Sequence, residues 1–171
     1  MILGLDISTS KIGYCIIDNN EKIIANEFIK LKPLQLEDRA EIFYDFLNAL
    51  NKEHVINNVF IEEPFTMFGG GRTTAGTMAK LQRFNGMCSF AVRRIFKMNP
   101  VLIPANQARK SVGLKIKRGE DTKKKIIEWV EAKYPKDFVY QLTSYGNPKP
   151  GTDDKADAVI IALAGFSQIN S

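Results

Sequence analysis

The spacing of apolar residues changes several times along the chain, and each change predicts a new element. MILGLDIS at 1–8 and IGYCIID at 12–18 are short apolar runs either side of the turn-like STSK. After Asn19-Asn20, KIIANEFIKL at 22–31 alternates roughly between apolar and polar residues, so a three-stranded β-meander is expected first. From Leu36 the period becomes helical, with Ala40, Phe43, Phe46, Leu47 and Leu50 on one stripe through about Lys52. NNVFIEE at 57–63 reads as a short strand, Ala75 to Phe96 as a long helix broken in pattern only by Gly86, and PVLIPA at 100–105 as another strand. A brief helix is expected from Asn106 to Val112 and a longer one from Thr122 to Lys133. A last helix, from Asp154 to about Ile169, follows the Pro/Gly-rich NPKPGT. Strands alternating with helices predict an α/β protein: a central mixed five-stranded sheet flanked by helices.

The chain has 171 residues, without internal repeat, low-complexity tract or composition break, which predicts one domain over 1–171. No apolar run approaches the ~18 residues that span a bilayer, and MILGLDISTSK has no basic leader, so no membrane association and a cytoplasmic location are expected. Cys15 and Cys88 sit in apolar segments without metal-ligand spacing and read as buried, reduced thiols. The net charge of +5, from 24 Lys and Arg against 19 Asp and Glu, favours a polyanionic partner. RKSVGLKIKRGEDTKKK at 109–125 concentrates that charge, with Glu120 and Asp121 its only acids. Lys115 and Lys117 alternate with Leu114 and Ile116 and could face phosphate, although a basic run is more often a solvated face.

Acids stand in awkward places. Asp6 ends an otherwise apolar strand, and Glu62 and Glu63 end another, where alternation lets only one share a face with Asp6. Asp154 and Asp157, three apart, project from one face of the last helix's first turn; Asp153 could replace Asp154 or serve as N-cap. Turn capping and the helix dipole account for some of these acids, but the apolar helix beyond them must lie buried against the sheet. If Asp6, Glu62, Asp154 and Asp157 converge, four carboxylates would repel without a cation. All-oxygen ligands that also receive phosphate suit Mg²⁺, with Mn²⁺ as substitute, and two such ions about 3.5–4 Å apart support phosphodiester hydrolysis.

With these residues in view, the chain resembles the RuvC-type Holliday junction resolvases of the ribonuclease H-like superfamily. LGLDISTSKIGYCIID is similar to the family's first strand and hairpin, with Asp6 in place of the first metal ligand. IEEPF puts Glu62 at the second ligand and Phe65 at an aromatic near the junction centre, and KLQRFNG at 80–86 is similar to the helix of the dimer contact. ANQARKSVG followed by DTKKKI resembles the DNA-contacting segment, with Arg109 and Lys123 at its two basic positions and Lys110 and Lys124 beside them. DKADAVIIAL supplies Asp154 and Asp157 as third and fourth acids. Departures are the GGGR loop, Arg109 in place of a lysine, and Glu63-Pro64 in place of a milder pair.

The resemblance implies a ribonuclease H-like fold and a homodimer joined through the 75–96 helix. It implies a two-metal endonuclease that nicks four-way junctions, and other branched DNA, to 5′-phosphate and 3′-hydroxyl ends, in a bacterial or phage-infected host cytoplasm. In the loop after Glu62, Phe65 or Phe68 would wedge against unstacked bases and Arg72 would pair with phosphate. Three rivals stand beside this reading. LGLDISTS also resembles the phosphate-binding hairpin of actin-like sugar kinases, which need two such domains. The others are a junction-binding module that does not cut and a ribonuclease H-like enzyme of RNA–DNA hybrids. His54 is expected to finish a helix, Trp129 and Tyr134 to lie in the core, and Ser8, Thr9 and Ser10 to shape the first hairpin.

Overall fold

The expected meander forms as β1 (Ile2–Ile7), β2 (Lys11–Ile17) and β3 (Ile23–Lys30), in a computed structural model that describes residues 1–32, 35–64 and 74–170. Then come α1 (Leu36–Glu53), β4 (Asn58–Glu62), α2 (Ala75–Phe96), β5 (Val101–Ile103), α3 (Ala105–Ser111), α4 (Thr122–Lys133) and α5 (Thr152–Ile169). The strands form one sheet in the order β3-β2-β1-β4-β5. The meander pairs are antiparallel, whereas β1–β4 and β4–β5 are parallel, so the sheet is mixed as expected.

Side-chain alternation sorts the strands into two cores. Leu3, Leu5, Ile7, Ile12, Ile16, Val59 and Ile61 face α1 and α2, packing with Phe43, Leu47, Phe84 and Cys88. Ile2, Cys15, Ile17, Phe60 and Ile103 face the other way, onto α4 and α5. Helix α5 is apolar nearly all round because it is buried between the sheet and α3 and α4. It runs so close to β1 that a Cβ on Gly4 would stand 2.5 Å from the Ala158 carbonyl oxygen.

Local chemistry sets the element ends. Ser8 accepts from the Lys11 N–H and donates to its carbonyl, closing the first hairpin. His54 caps α1, its N–H donating to the Leu50 carbonyl, and Asp121 caps α4 by accepting from the Lys124 N–H. Both cysteines are free and buried, Tyr134 is buried, and Trp129 packs at the core's edge. One expectation is corrected: α5 begins at Thr152, and its N-cap is Gly151 in the left-handed region (φ 103°) rather than Asp153. The Thr152 hydroxyl donates to the Lys149 carbonyl and fixes that start, so Asp153 lies inside the first turn with its carboxylate released for other work.

Candidate active site

The parallel register of β1 and β4 pairs Leu5 with Ile61, which brings Asp6 and Glu62 next to each other at the strand ends. By alternation both share the face of Gly4 and Phe60, the face covered by α5. Glu63 has left the strand, and its N–H donates to the Ile103 carbonyl at 2.9 Å. Of the two adjacent glutamates, Glu62 is therefore the one beside Asp6.

Helix α5 brings the remaining acids. Its first turn comes down on β2 at Gly13, where a Cβ would lie 2.0 Å from the Asp154 carbonyl oxygen. Glycine is required there because backbone meets backbone. Burial, then the charges of Glu62, Asp157, Asp154 and Asp153, hold the Asp6 carboxyl well above the usual range. Burial also pushes Asp157 up, to about 7; Glu62, Asp153 and Asp154 add to the effect and Arg109 opposes it. Glu62 is raised by burial and eased by Arg109. Asp6, Glu62, Asp154 and Asp157 thus share one electrostatic neighbourhood, although they come from three distant stretches of sequence.

Basic side chains already engage this neighbourhood. The Lys11 ammonium donates to Asp154 at 2.5 Å, and the Lys123 ammonium donates to Asp153. Burial opposes ionisation of Asp153, but the bond and charge of Lys123, with Lys11 behind it, take its carboxyl below the ordinary range. Arg109 on α3 donates from Nε to the Ala105 carbonyl at 2.9 Å, and its charge acts on Glu62 and Asp157. Among the described residues, no three His, Cys, Asp or Glu side chains stand at the spacing of a ready-made metal cage. The donor chemistry fits a hard cation, but the carboxylates of Asp153 and Asp154 are turned to lysines.

Lys110, Lys115, Lys117, Lys123 and Lys124 are exposed, and Leu114 and Ile116 pack inward against the α5 core, so the expected alternation holds. Phe65, Phe68 and Arg72 lie outside the described residues. Lys11 was missed in the sequence. It opens β2 on the same face as Gly13 and Cys15, a position that alternation reveals only once the hairpin register is known.

The mixed five-stranded sheet flanked by helices is the fold also seen in T. thermophilus RuvC and yeast Ydc2. Over 99% of this chain and 95% of the other, it matches the structure of T. thermophilus RuvC in complex with Holliday junction substrate, with a TM-score of 0.70 at 14% identity. The yeast mitochondrial Holliday junction resolvase Ydc2 matches with a TM-score of 0.62 at 14% identity, over 97% of this chain and 77% of its own. No protein-family model matches the chain. In sequence it is similar to the crossover junction endodeoxyribonuclease RuvC of Aliarcobacter butzleri (strain RM4018), 33% identical over 98 residues, 56% of this chain and 60% of that relative. The RuvC of Campylobacter curvus (strain 525.92) is 29% identical over 97 residues, 55% of this chain and 59% of that relative. The match thus spans about three-fifths of the length of these curated relatives. Sequence and fold together make this chain similar to the RuvC proteins.

Proposed function

We propose that this chain is a divalent-metal-dependent endonuclease of branched DNA, four-way junctions above all, acting in the cytoplasm as one nuclease domain. The observation that carries the reading is the convergence of Asp6, Glu62, Asp154 and Asp157 at the strand ends under α5. These four carboxylates would hold two Mg²⁺ or Mn²⁺ ions, which when bound supply an activated water and stabilise charge on the leaving oxygen.

The chain's own residues account for the rest. Arg109 and Lys123 stand beside the acids and would position the phosphates flanking the scissile bond. The exposed Lys110, Lys115, Lys117 and Lys124 would track the backbone further out, making binding fall steeply with salt. Phe65 and Phe68 would meet unstacked bases and Arg72 a phosphate. Dimerisation through α2 is supported by Phe90, which is 65% exposed beside Gly86 and Met87 in an apolar groove between α1 and α2. A two-fold dimer would offer two acid clusters to a junction of the same symmetry.

The test is a labelled four-way junction incubated with protein and Mg²⁺ beside linear duplex and RNA–DNA hybrid of matched sequence. Cleavage of the junction alone, lost in Asp6→Asn while binding persists, is the expected outcome. Cutting confined to the hybrid, or junction binding with no cutting, would replace this reading with one of its rivals.

A further inference from the structure

The segment between α4 and α5 carries an element the acid cluster does not use. Residues 141–149 form a small hairpin, with a bridge between Leu142 and Pro148. The Thr143 N–H donates to the Asn147 carbonyl at 2.7 Å, and the Lys149 N–H to the Gln141 carbonyl at 2.8 Å. Gly146 takes the left-handed conformation (φ 76°) that closes the tip, and its N–H donates to the Thr143 carbonyl. Tyr145 rides on this braced tip and is 90% exposed. A packing role does not explain it, since almost none of its surface is covered.

The surroundings favour one kind of partner. The hairpin, with its Lys149, lines a groove of about 610 Å³ shared with Lys123, Lys124 and Asp153, so it borders the first turn of α5 at Asp153. The acids in this groove already have partners. Asp121 caps α4, Glu131 accepts from the Tyr140 hydroxyl, Glu128 lies near Lys124 and Lys125, and Asp153 holds Lys123. The Lys149 ammonium donates to a neutral oxygen, Oε1 of Gln141, and keeps its charge for an outside anion. The exposed apolar side chains nearby are divided, Leu142 lining this groove and Val139 a different cavity bordered by β3. An exposed aromatic ring on a hairpin that also carries the Lys149 ammonium can stack a base while the ammonium grips a phosphate.

We propose that the 141–149 hairpin is a further DNA-contacting element, in which Tyr145 stacks on a nucleobase of the strand leaving the acid cluster and Lys149 holds the adjoining phosphate. The proposal rests on the nuclease reading and specifies where beyond the acids the substrate is gripped.

The experiment uses the full chain in the Asp6→Asn background, so that no strand is cut, and a four-way junction with 2-aminopurine at successive positions beside the cleavage site. Tyr145→Ala is expected to weaken junction binding about ten-fold and to abolish the fluorescence change at one probe position. Tyr145→Phe, which keeps the ring, is expected to stay within about two-fold of its parent. An unchanged Tyr145→Ala overturns the proposal, as does a Tyr145→Phe variant equally impaired, which would assign the effect to the hydroxyl. If the parent binds and the wild type cuts normally, such a result removes the Tyr145 contact alone. If the parent binds no junction, the nuclease reading falls and the Tyr145 contact with it.

Discussion

Lys11 and Asp154, 143 positions apart in sequence, meet through an ammonium-to-carboxylate bond of 2.5 Å, with side chains 25% and 10% exposed. The pair joins the start of β2 to the first turn of α5 and neutralises one member of the acid cluster. A divalent ion taken up at Asp154 must compete with that ammonium. Lys11→Met should therefore melt earlier in EDTA, by about 1–3 kcal/mol of lost stability, yet take up Mg²⁺ or Ca²⁺ more tightly by calorimetry. Lys52→Met removes the same charge near the end of α1, which adjoins the Val55 carbonyl held by the Met1 amino group, at the other end of β1 from Asp6. It should change neither quantity. Weaker ion uptake in Lys11→Met would show that Lys11 helps the ion rather than competing with it.

Asp157 gives the metal-free protein an unusual pH dependence. Its carboxyl titrates near 7 in the fold, against an ordinary 3.8. Between those values the folded state keeps a proton that the unfolded chain has released, so stability falls as pH rises from about 4 to about 7. Asp6 is shifted in the same direction. Asp153 is shifted the opposite way, so its contribution is present above its ordinary range and lost only in acid. In EDTA the melting temperature should be lower at pH 8 than at pH 5.5, and Mg²⁺ should recover most of the difference. Asp157→Asn should flatten the profile while abolishing cutting. A melting temperature that climbs with pH in EDTA would contradict the crowding of these acids.

Periodicity disclosed the elements because each strand or helix writes its burial into its own few residues. The apolar run MILGLDI and the helical stripe from Leu36 needed no knowledge of their neighbours. The acids were legible as a group because Asp6, Glu62 and the first turn of α5 all interrupt apolar segments at their ends. What stayed hidden depends on partners distant in sequence. Lys11 was one lysine in a turn until α5 was laid over Gly13. Asp153 resembled an N-cap because the sequence does not show that Gly151 starts the helix in a left-handed conformation. The 141–149 hairpin rests on backbone bonds, which leave little trace in composition beyond proline and glycine.

Gly13 tests whether α5 must approach this closely. A methyl group there would sit 2.0 Å from the Asp154 carbonyl oxygen and 2.5 Å from its carbon, backbone atoms that a rotamer change cannot move. Gly13→Ala should destabilise the fold by roughly 1–3 kcal/mol or more. In the protein that still folds, it should impair ion uptake and cutting by displacing Asp154 and Asp157 together. Chemical denaturation and calorimetry on the same preparation would check this. Full stability with normal ion uptake would mean that α5 sits further from the sheet.

Gly86 and Phe90 on α2 test the proposed dimer from two directions. A Cβ on Gly86 would meet nothing within 4 Å, so in an isolated chain Gly86→Ala should gain about 0.5–1 kcal/mol from helix propensity. In a dimer closed over this face, the added methyl group would instead meet the second chain, and the gain should shrink or reverse. Phe90, 65% exposed, contributes little to the fold of its own chain, so Phe90→Glu should leave the monomer's melting temperature nearly unchanged. Across a two-fold axis it would bring two buried carboxylates into one apolar groove, so light scattering should register half the wild-type mass. Under the proposed function, junction cutting should fall with that mass, because cutting at two strands of one junction would need two acid clusters held on one substrate. If Phe90→Glu keeps the wild-type mass and activity, the groove between α1 and α2 is not where the chains meet.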